Sequence, residues 1–489
     1  MRAKAGIAHR KTGLEPMVMG SLQEETEVAI IGGGPGGYVA ALRAADLGKE
    51  VTLIEERDEL GGVCLLEGCI PSKALINAVE VIESARRARE FGVTFSGLNV
   101  DLAALRRWCR SVVEGLARGV RQLLERRGVE VIRGRARFES PNVLAIEGGG
   151  VGAVKFRHCI IATGSRVQPL AHASGLQLWS SAEALQLPEI PERLLVVGGG
   201  YIGLELGQVY AGLGSRVTVA EAYPHLLPGA DHDLVEVVVN HCREHCFEGL
   251  LLESRVLAVE KSAAGFTATI EYQGETRTGE YDQVLVAVGR RPNTDTIGLE
   301  HTKVVPDKRG FIAVSPEGRT VEPRIYAIGD VTPGPMLAHK ASREGKVVAE
   351  VIAEHRSAFD NRAIPAVVYT DPEIAWAGLT EREAKAEGIR VKVGKFPLRA
   401  LGRARTLGRT EGFAKVISDP VSGFVLGVAM VAPHASELIA EATLALELGA
   451  SLEDLLVTIH PHPTLSEAIL EAAEVAAGTP VHVLAKGEI

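Results

Sequence analysis

Slid against itself by 166 residues, the chain meets its own pattern again. AIIGGGPGGYVAALRAADLGKEVTLIE (29–55) lies without a gap on LVVGGGYIGLELGQVYAGLGSRVTVAE (195–221). Each copy reads as an apolar strand, a glycine turn, an amphipathic helix closed by Gly48 or Gly214, and a second strand ending in an acid. These are two βαβ starts, and each must bury its strands in a sheet with helices on its faces. The glycines recur as G-x-G-x-x-G, at Gly32, Gly34 and Gly37 and again at Gly198, Gly200 and Gly203. The first permits a tight turn, the second lets a pyrophosphate approach the backbone, and the third lets helix and strand pack closely. Phosphate oxygens would meet the free N–H groups of the helix N-terminus. Eighteen residues past each third glycine stands an acid, Glu55 or Glu221, placed to accept hydrogen bonds from a ribose diol. Beside Glu221 a 2′-phosphate would be repelled, and Ala222, Tyr223, Pro224 and His225 supply no arginine, so the second site is expected to prefer NAD over NADP.

The rest of the chain frames these units. At 489 residues it is too long for one core and is expected to hold about three domains. A net charge of −9 with 4% aromatic residues argues against a nucleic-acid binder. No run of about 18 uninterrupted apolar residues occurs, so no membrane span is expected. Residues 1–23 lack the apolar segment of a secretory signal and read as a tail. Six cysteines in so long a chain are too few for a disulfide scaffold, which points to a reducing, cytoplasmic compartment. Residues 101–127 read as a helix capped by Asp101 and closed before Gly128, with Leu102, Leu105, Cys109, Val112, Leu116 and Val120 inward. Strand-rich stretches end in IIATGS, which holds Thr163 and Gly164, and in VLVAVGRRPNT, which holds Gly289. From about residue 358 the pattern changes to alternating strands with two late helices.

In GGVCLLEGCIPSKAL, Cys64 and Cys69 are five apart and only nine residues beyond Glu55. In a regular helix such a pair has Cα atoms about 8.7 Å apart, whereas a disulfide needs them within roughly 7 Å. A working disulfide therefore requires a distorted turn, which Gly61, Gly62, Gly68 and Pro71 would permit. The bland alternative is two buried free thiols.

From about residue 26 to the end, these motifs resemble the dihydrolipoamide dehydrogenases of the flavoprotein disulfide reductase family. The resemblance implies an α/β fold with two Rossmann-like domains, for FAD and NAD, and a C-terminal α+β interface domain that forms a homodimer. It implies boundaries of 24–165 and 290–357 for the two parts of the FAD-binding domain, 166–289 for the NAD-binding domain, and 358–489 for the interface domain. It further implies Asp330 in IYAIGD for the ribityl chain, Met336, Leu337, Ala338 and His339 lining the flavin, and Lys73 near the flavin, paired with Glu205. Gly62, Thr163, Gly164 and Gly289 complete the implied cofactor contacts.

Oxidising a dithiol near neutral pH needs a proton acceptor, and histidine is the natural one. In HPHPTLSEA, His462 with Glu467 matches the family's base and its orienting carboxylate, while His460 does not occupy that position; Pro461 and Pro463 keep the segment extended. The family brings this base from the other subunit. In the implied cycle a dihydrolipoyl thiolate attacks Cys64, Cys69 passes electrons to FAD, and NAD receives them. A lipoylated carrier protein is the implied partner: a 2-oxoacid dehydrogenase core, a glycine cleavage carrier or a dedicated lipoate-binding protein.

Val63, Leu66 and Glu67 depart from the family's usual Thr, Asn and Val. HCREHC puts His241 and His245, and Cys242 and Cys246, at i, i+4 spacing, a metal-ligand spacing also met at an exposed helix end; no metal is expected there. Two other readings stay open: another disulfide or metal-ion reductase of the family, and a redox-inert flavoprotein subunit. A mercury-reducing relative would want a C-terminal cysteine pair, and this chain ends VHVLAKGEI.

Overall fold

The computed structural model describes residues 23–170, 173 and 175–484, so the expected tail lies outside the described residues apart from Gln23, which already belongs to a strand. The first repeat folds as β1 (Gln23–Ile31), α1 (Pro35–Asp46) and β2 (Val51–Glu55), with β1 parallel to β2. Val28, Ala29 and Ile30 are fully buried, as a parallel strand covered on both faces requires. The parallel order is Glu130–Arg133, β2, β1, Ala153–Ile161, and beyond it Ile325–Ala327. That last strand arrives only after some 160 residues spent elsewhere, so the first sheet is completed by a late return of the chain. An antiparallel hairpin, Arg135–Ser140 with Val143–Glu147, pairs with the start of Ala153–Ile161.

The second repeat builds a four-stranded parallel sheet in the order Gly249–Leu251, Arg216–Ala220, Arg193–Val197, Gln283–Val286. A separate three-stranded antiparallel sheet, Ser254–Ser262 to Tyr281, packs beside it. The C-terminal sheet is antiparallel and five-stranded, and Ala435–Leu448 and Glu467–Ala477 pack on it. Three shorter helices (Glu381–Glu387, Gly402–Thr406, Leu452–Val457) add to the two late helices expected.

The cysteine segment forms α2 (Gly62–Glu67) and α3 (Cys69–Arg87), broken at Gly68. Gly61 (φ 120°) and Gly62 (φ 58°) turn the chain into α2 through left-handed conformations that a side chain would strain. The run Gly62–Phe91 has the length and apolarity of a membrane-crossing helix, yet it is interrupted at Gly68 and buries Ala74 and Leu75 in the core shared with the second repeat. α4 (Leu102–Arg126) is capped as expected, the Asp101 carboxylate accepting from the Ala104 N–H at 2.9 Å. Leu116 is 46% exposed, contrary to its expected inward place; Ala117 is buried in its stead.

Candidate active site

The two glycine loops divide their work as the chemistry demands. A Cβ on Gly37 would sit 1.8 Å from the Gly32 carbonyl oxygen, and one on Gly203 would sit 2.0 Å from that of Gly198, so the third glycines are fixed by packing. Gly32 (φ 104°) and Gly198 (φ 110°) make the tight turns. Before Gly200 a Cβ would meet nothing within 4 Å, and before Gly34 only the Gly62 Cα at 3.8 Å. The backbone at the middle glycines is therefore open to a close-lying group, at the N-terminus of a helix in each case. The acids behave as a matched pair. Glu55 accepts from Gly33 N–H (2.7 Å) and Arg57 N–H (3.0 Å), and Glu221 from Gly199 N–H (2.6 Å) and Tyr223 N–H (2.8 Å). Each carboxylate keeps lone pairs for a diol, because a carboxylate has about four acceptor sites. Gly289 (φ 121°) likewise faces open space, beside the second loop at the end of the neighbouring strand.

A cavity of about 730 Å³ opens from the first loop. Its lining includes Gly32, Gly34, Glu55 and Gly62 of the first repeat, Thr163, Gly164 and Asp330, Cys64, Cys69, Lys73 and Glu205, and Met336 and Ala338. Leu337 and His339, expected beside them, are not among the lining residues: Leu337 caps a helix, and His339 bonds the Pro365 carbonyl at 2.8 Å. Lys340 is the buried neighbour instead. Its Nζ bonds Thr332 Oγ1 (2.9 Å) and pairs with Glu344 (2.7 Å), which in turn accepts the Gly329 N–H (2.6 Å) and so fixes the turn that presents Asp330. The i, i+4 spacing of Lys340 and Glu344 was the available sequence signal. Ser165 and Arg290 were also missed: Ser165 donates to Asp330 at 2.5 Å and accepts from Arg290 Nε at 2.7 Å. They stand on strands paired across 125 residues, a separation no local pattern reveals.

Both Cys64 and Cys69 are thiols here, in hydrogen-bond contact across the break at Gly68. The Cys64 S–H donated to Cys69, helped by the Lys73 ammonium and opposed by burial, holds Cys69 down to about 7; the same contact and burial push Cys64 up. The pair is thus polarised, with the thiolate on Cys69, which is also the more exposed of the two; both line the cavity. Lys73 Nζ lies 2.9 Å from Glu205 and 4.2 Å from the Tyr369 ring centre, and Glu205, 4% exposed, accepts the Tyr369 N–H at 3.1 Å. The first domain, the second-repeat helix and the C-terminal domain meet at that carboxylate.

Of the three departures, Val63 and Glu67 line the cavity, and Leu66 packs against the first core. Glu67 binds Arg57 through two contacts, 2.7 and 3.2 Å, so the unexpected charge has its partner in the same cavity wall.

His462 and Glu467 are paired, Nδ1 to Oε1 at 2.8 Å, and Glu467 also accepts the Thr464 N–H at 2.8 Å. Burial raises that carboxyl, but the N–H of Thr464 and the imidazole outweigh it and leave it below the usual range. His462 is 76% exposed and does not line its own chain's cavity. His460 makes a similar pair with Glu441 (2.7 Å), yet its side chain is only 4% exposed.

The pyridine nucleotide-disulphide oxidoreductase family matches residues 26–345, and its dimerisation domain matches residues 364–473. The chain belongs to this family. A dihydrolipoyl dehydrogenase of Geobacillus stearothermophilus is 46% identical over 474 residues, covering 96% of this chain and all of the relative. One of Thermus scotoductus is 47% identical over 464 residues, covering 94% and 99%. The crystal structure of LpdA from Mycobacterium tuberculosis superposes with a TM-score of 0.84 at 29% identity, covering 92% of this chain and 99% of that one. As a member of the family the chain is an FAD- and NAD-using oxidoreductase, and both open glycine cradles, each with its half-satisfied acid, fit those dinucleotides. The dimerisation domain supports a homodimer, in keeping with Leu448, Val457 and Ile459 of that domain, which stand 75, 71 and 95% exposed.

Proposed function

We propose that the chain is a dihydrolipoyl dehydrogenase that oxidises the dihydrolipoyl group of a carrier protein through Cys64 and Cys69 and reduces NAD. The observation that carries this reading is the polarised thiol pair in the wall of the cavity that begins at the first glycine cradle. FAD, when bound, supplies the two-electron relay between the dithiol and NAD. The chain's own residues do the rest. His462 of the partner subunit, oriented by its Glu467 contact, removes a proton from a substrate thiol. The resulting thiolate attacks the Cys64 sulfur of the closed disulfide, and the Cys64–Cys69 bond breaks with Cys69 leaving as the thiolate that Lys73 stabilises. The second substrate sulfur attacks the first, closes the lipoyl ring and frees Cys64. The Glu205 carboxylate holds Lys73 beside that thiolate, and Glu221 selects NAD by repelling a 2′-phosphate. Because His462 stands outside its own cavity, the reading requires two chains per working site. A reducing, cytoplasmic setting agrees with a thiol cycle of this kind.

The test is NAD reduction by the FAD-loaded protein with free dihydrolipoamide and with lipoylated carriers from a 2-oxoacid dehydrogenase, from glycine cleavage and from a dedicated lipoate-binding protein, each also run with NADP. Turnover with NAD and a dihydrolipoyl substrate, lost in Cys64→Ser, is expected. Turnover unaffected by Cys64→Ser would overturn the reading.

A further inference from the structure

A second thiol pair lies away from the cavity, where the second repeat meets the C-terminal domain. The helix His232–His241 runs into a π-helical turn, Cys242–Cys246, and the two sulfurs are in hydrogen-bond contact. The amide of Gln208 is clamped by Asp371, accepting its N–H at 2.8 Å and donating to its carbonyl at 3.2 Å, and so its Nε2 is aimed at Cys242 (3.3 Å) with Cys246 at 3.7 Å. On the other side, the His241 imidazole bonds Cys246 and reaches Glu411 Oε2 at 3.0 Å. The order Glu411, His241, Cys246 is that of a carboxylate, an imidazole and a nucleophilic sulfur, and Cys242 stands behind the nucleophile. Cys242 is fully buried, whereas Cys246 is partly exposed, so a small reagent meets Cys246 first.

Donors and acceptors follow the same order: the Cys242 S–H faces Cys246, and Cys246 faces the His241 imidazole that Glu411 orients. The single Gln208 nitrogen lies within 4 Å of both sulfurs, so the π-helical turn brings the two to the same side of the chain.

We propose that Cys246 and Cys242 are a second redox-active dithiol, in which Cys246, activated by His241 and Glu411, is the nucleophile toward small hydroperoxides and Cys242 is the resolving thiol. The Cys246 sulfur attacks the terminal peroxide oxygen, the O–O bond breaks, the alcohol or water leaves with the proton from His241, and Cys246 is oxidised to the sulfenic acid. The Cys242 sulfur then attacks Cys246, the S–O bond breaks and water leaves with the Cys242 proton. In sum two thiols are oxidised to one disulfide while the hydroperoxide is reduced to an alcohol (or water) and water. A divalent metal is the competing use of this corner, since His241, His245 and Glu411 offer ligand atoms within 4.8 Å of one another. It would leave the buried Cys242 and the aimed Gln208 amide without a role, and the sulfurs are not part of that trio.

The experiment uses the FAD-loaded protein with Cys64–Cys69 already oxidised, treated with hydrogen peroxide, blocked with N-ethylmaleimide and digested with trypsin without reductant. Arg243 lies between the two cysteines, so a bond between them joins peptides 217–243 and 244–255. The joined pair is expected, released by dithiothreitol and absent in Cys246→Ser. In Cys242→Ala, Cys246 is expected to be trapped by dimedone as the sulfenic acid, and His241→Asn is expected to slow the reaction at least tenfold. FAD absorbance and NAD reduction in each variant report that it has folded. Both cysteines still carrying maleimide after peroxide, a bond to another cysteine instead, or a stoichiometric metal that shields them would overturn the proposal.

Discussion

At the scale of single residues, a glycine is informative only where its missing side chain has a neighbour. The Gly37 position has no room for a methyl, because the Gly32 carbonyl already occupies that place. Gly37→Ala is therefore expected to cost about 1–3 kcal/mol or more by overpacking, read as a lower Tm in the FAD-free protein. Gly34 has room and an ordinary φ of −74°. Gly34→Ala should leave the Tm of the FAD-free protein unchanged and weaken FAD binding about tenfold or more, which is about 1.4 kcal/mol, as measured by fluorescence titration. The polarised sulfurs give a pH prediction. Cys69 is lowered to about 7, first by the Cys64 S–H and then by Lys73, so its thiolate is present above that pH and is lost as pH falls through it. The thiolate-to-flavin absorbance of the two-electron-reduced, FAD-loaded protein should fade on acidification around pH 7, and should vanish at all pH values in Cys69→Ser.

At the scale of elements, the break between α2 and α3 is what turns two cysteines five apart into a contact. Gly68 sits at φ −143°, ψ −111°, and a Cβ there would lie 2.9 Å from the Val63 carbonyl oxygen and 3.3 Å from the Cys64 Cα. Gly68→Ala must therefore push Cys64 relative to Cys69. The expected result is normal FAD binding with reduction by dihydrolipoamide slowed by about tenfold, as expected when reacting atoms are displaced by a fraction of an ångström to about 1 Å, measured by stopped flow. The sequence showed that a distortion was needed and which residues permit it; it did not show that a single glycine carries the break, because helix propensity on either side is unremarked by any local pattern. The same limit explains Leu337 and His339. MLAHK gives no sign of where the following helix begins, and once it begins at Ala338 the rotation of its first turn decides that Lys340, not His339, goes inward.

At the scale of the whole molecule, charges join the domains. Lys415 is fully buried and pairs with Asp231 (2.7 Å), Asp233 (3.0 Å) and Glu381 (2.7 Å), which ties the second repeat to the C-terminal sheet. Lys415→Met would remove the buried partner of Asp231 and Glu381, leaving Asp233 its Lys395 contact (3.0 Å), and is expected to destabilise the junction by roughly 3–5 kcal/mol, seen as an early unfolding transition in calorimetry. Catalysis makes a different demand on the assembly. If one chain supplies Cys64 and the other His462, then mixing inactive Cys64→Ser and His462→Ala chains after dissociation should restore activity. Random re-pairing of a two-fold dimer gives one intact site in half of the dimers, or about a quarter of wild-type turnover. No recovery would place base and disulfide on the same chain.

The sequence by itself determined the two nucleotide folds and marked the candidate acids, cysteine segment and base, because each is written in residues a short, fixed distance apart whose backbone needs are local. Only the tertiary structure decided that Glu205 ties Lys73 to Tyr369, that Ser165 and Arg290 hold Asp330, that His462 does not line its own chain's cavity, and that Cys246 finds Glu411 through His241. Those contacts join side chains many tens of residues apart, and their existence depends on how three domains dock, which is a matter of packed surfaces and charge pairs rather than of any local period.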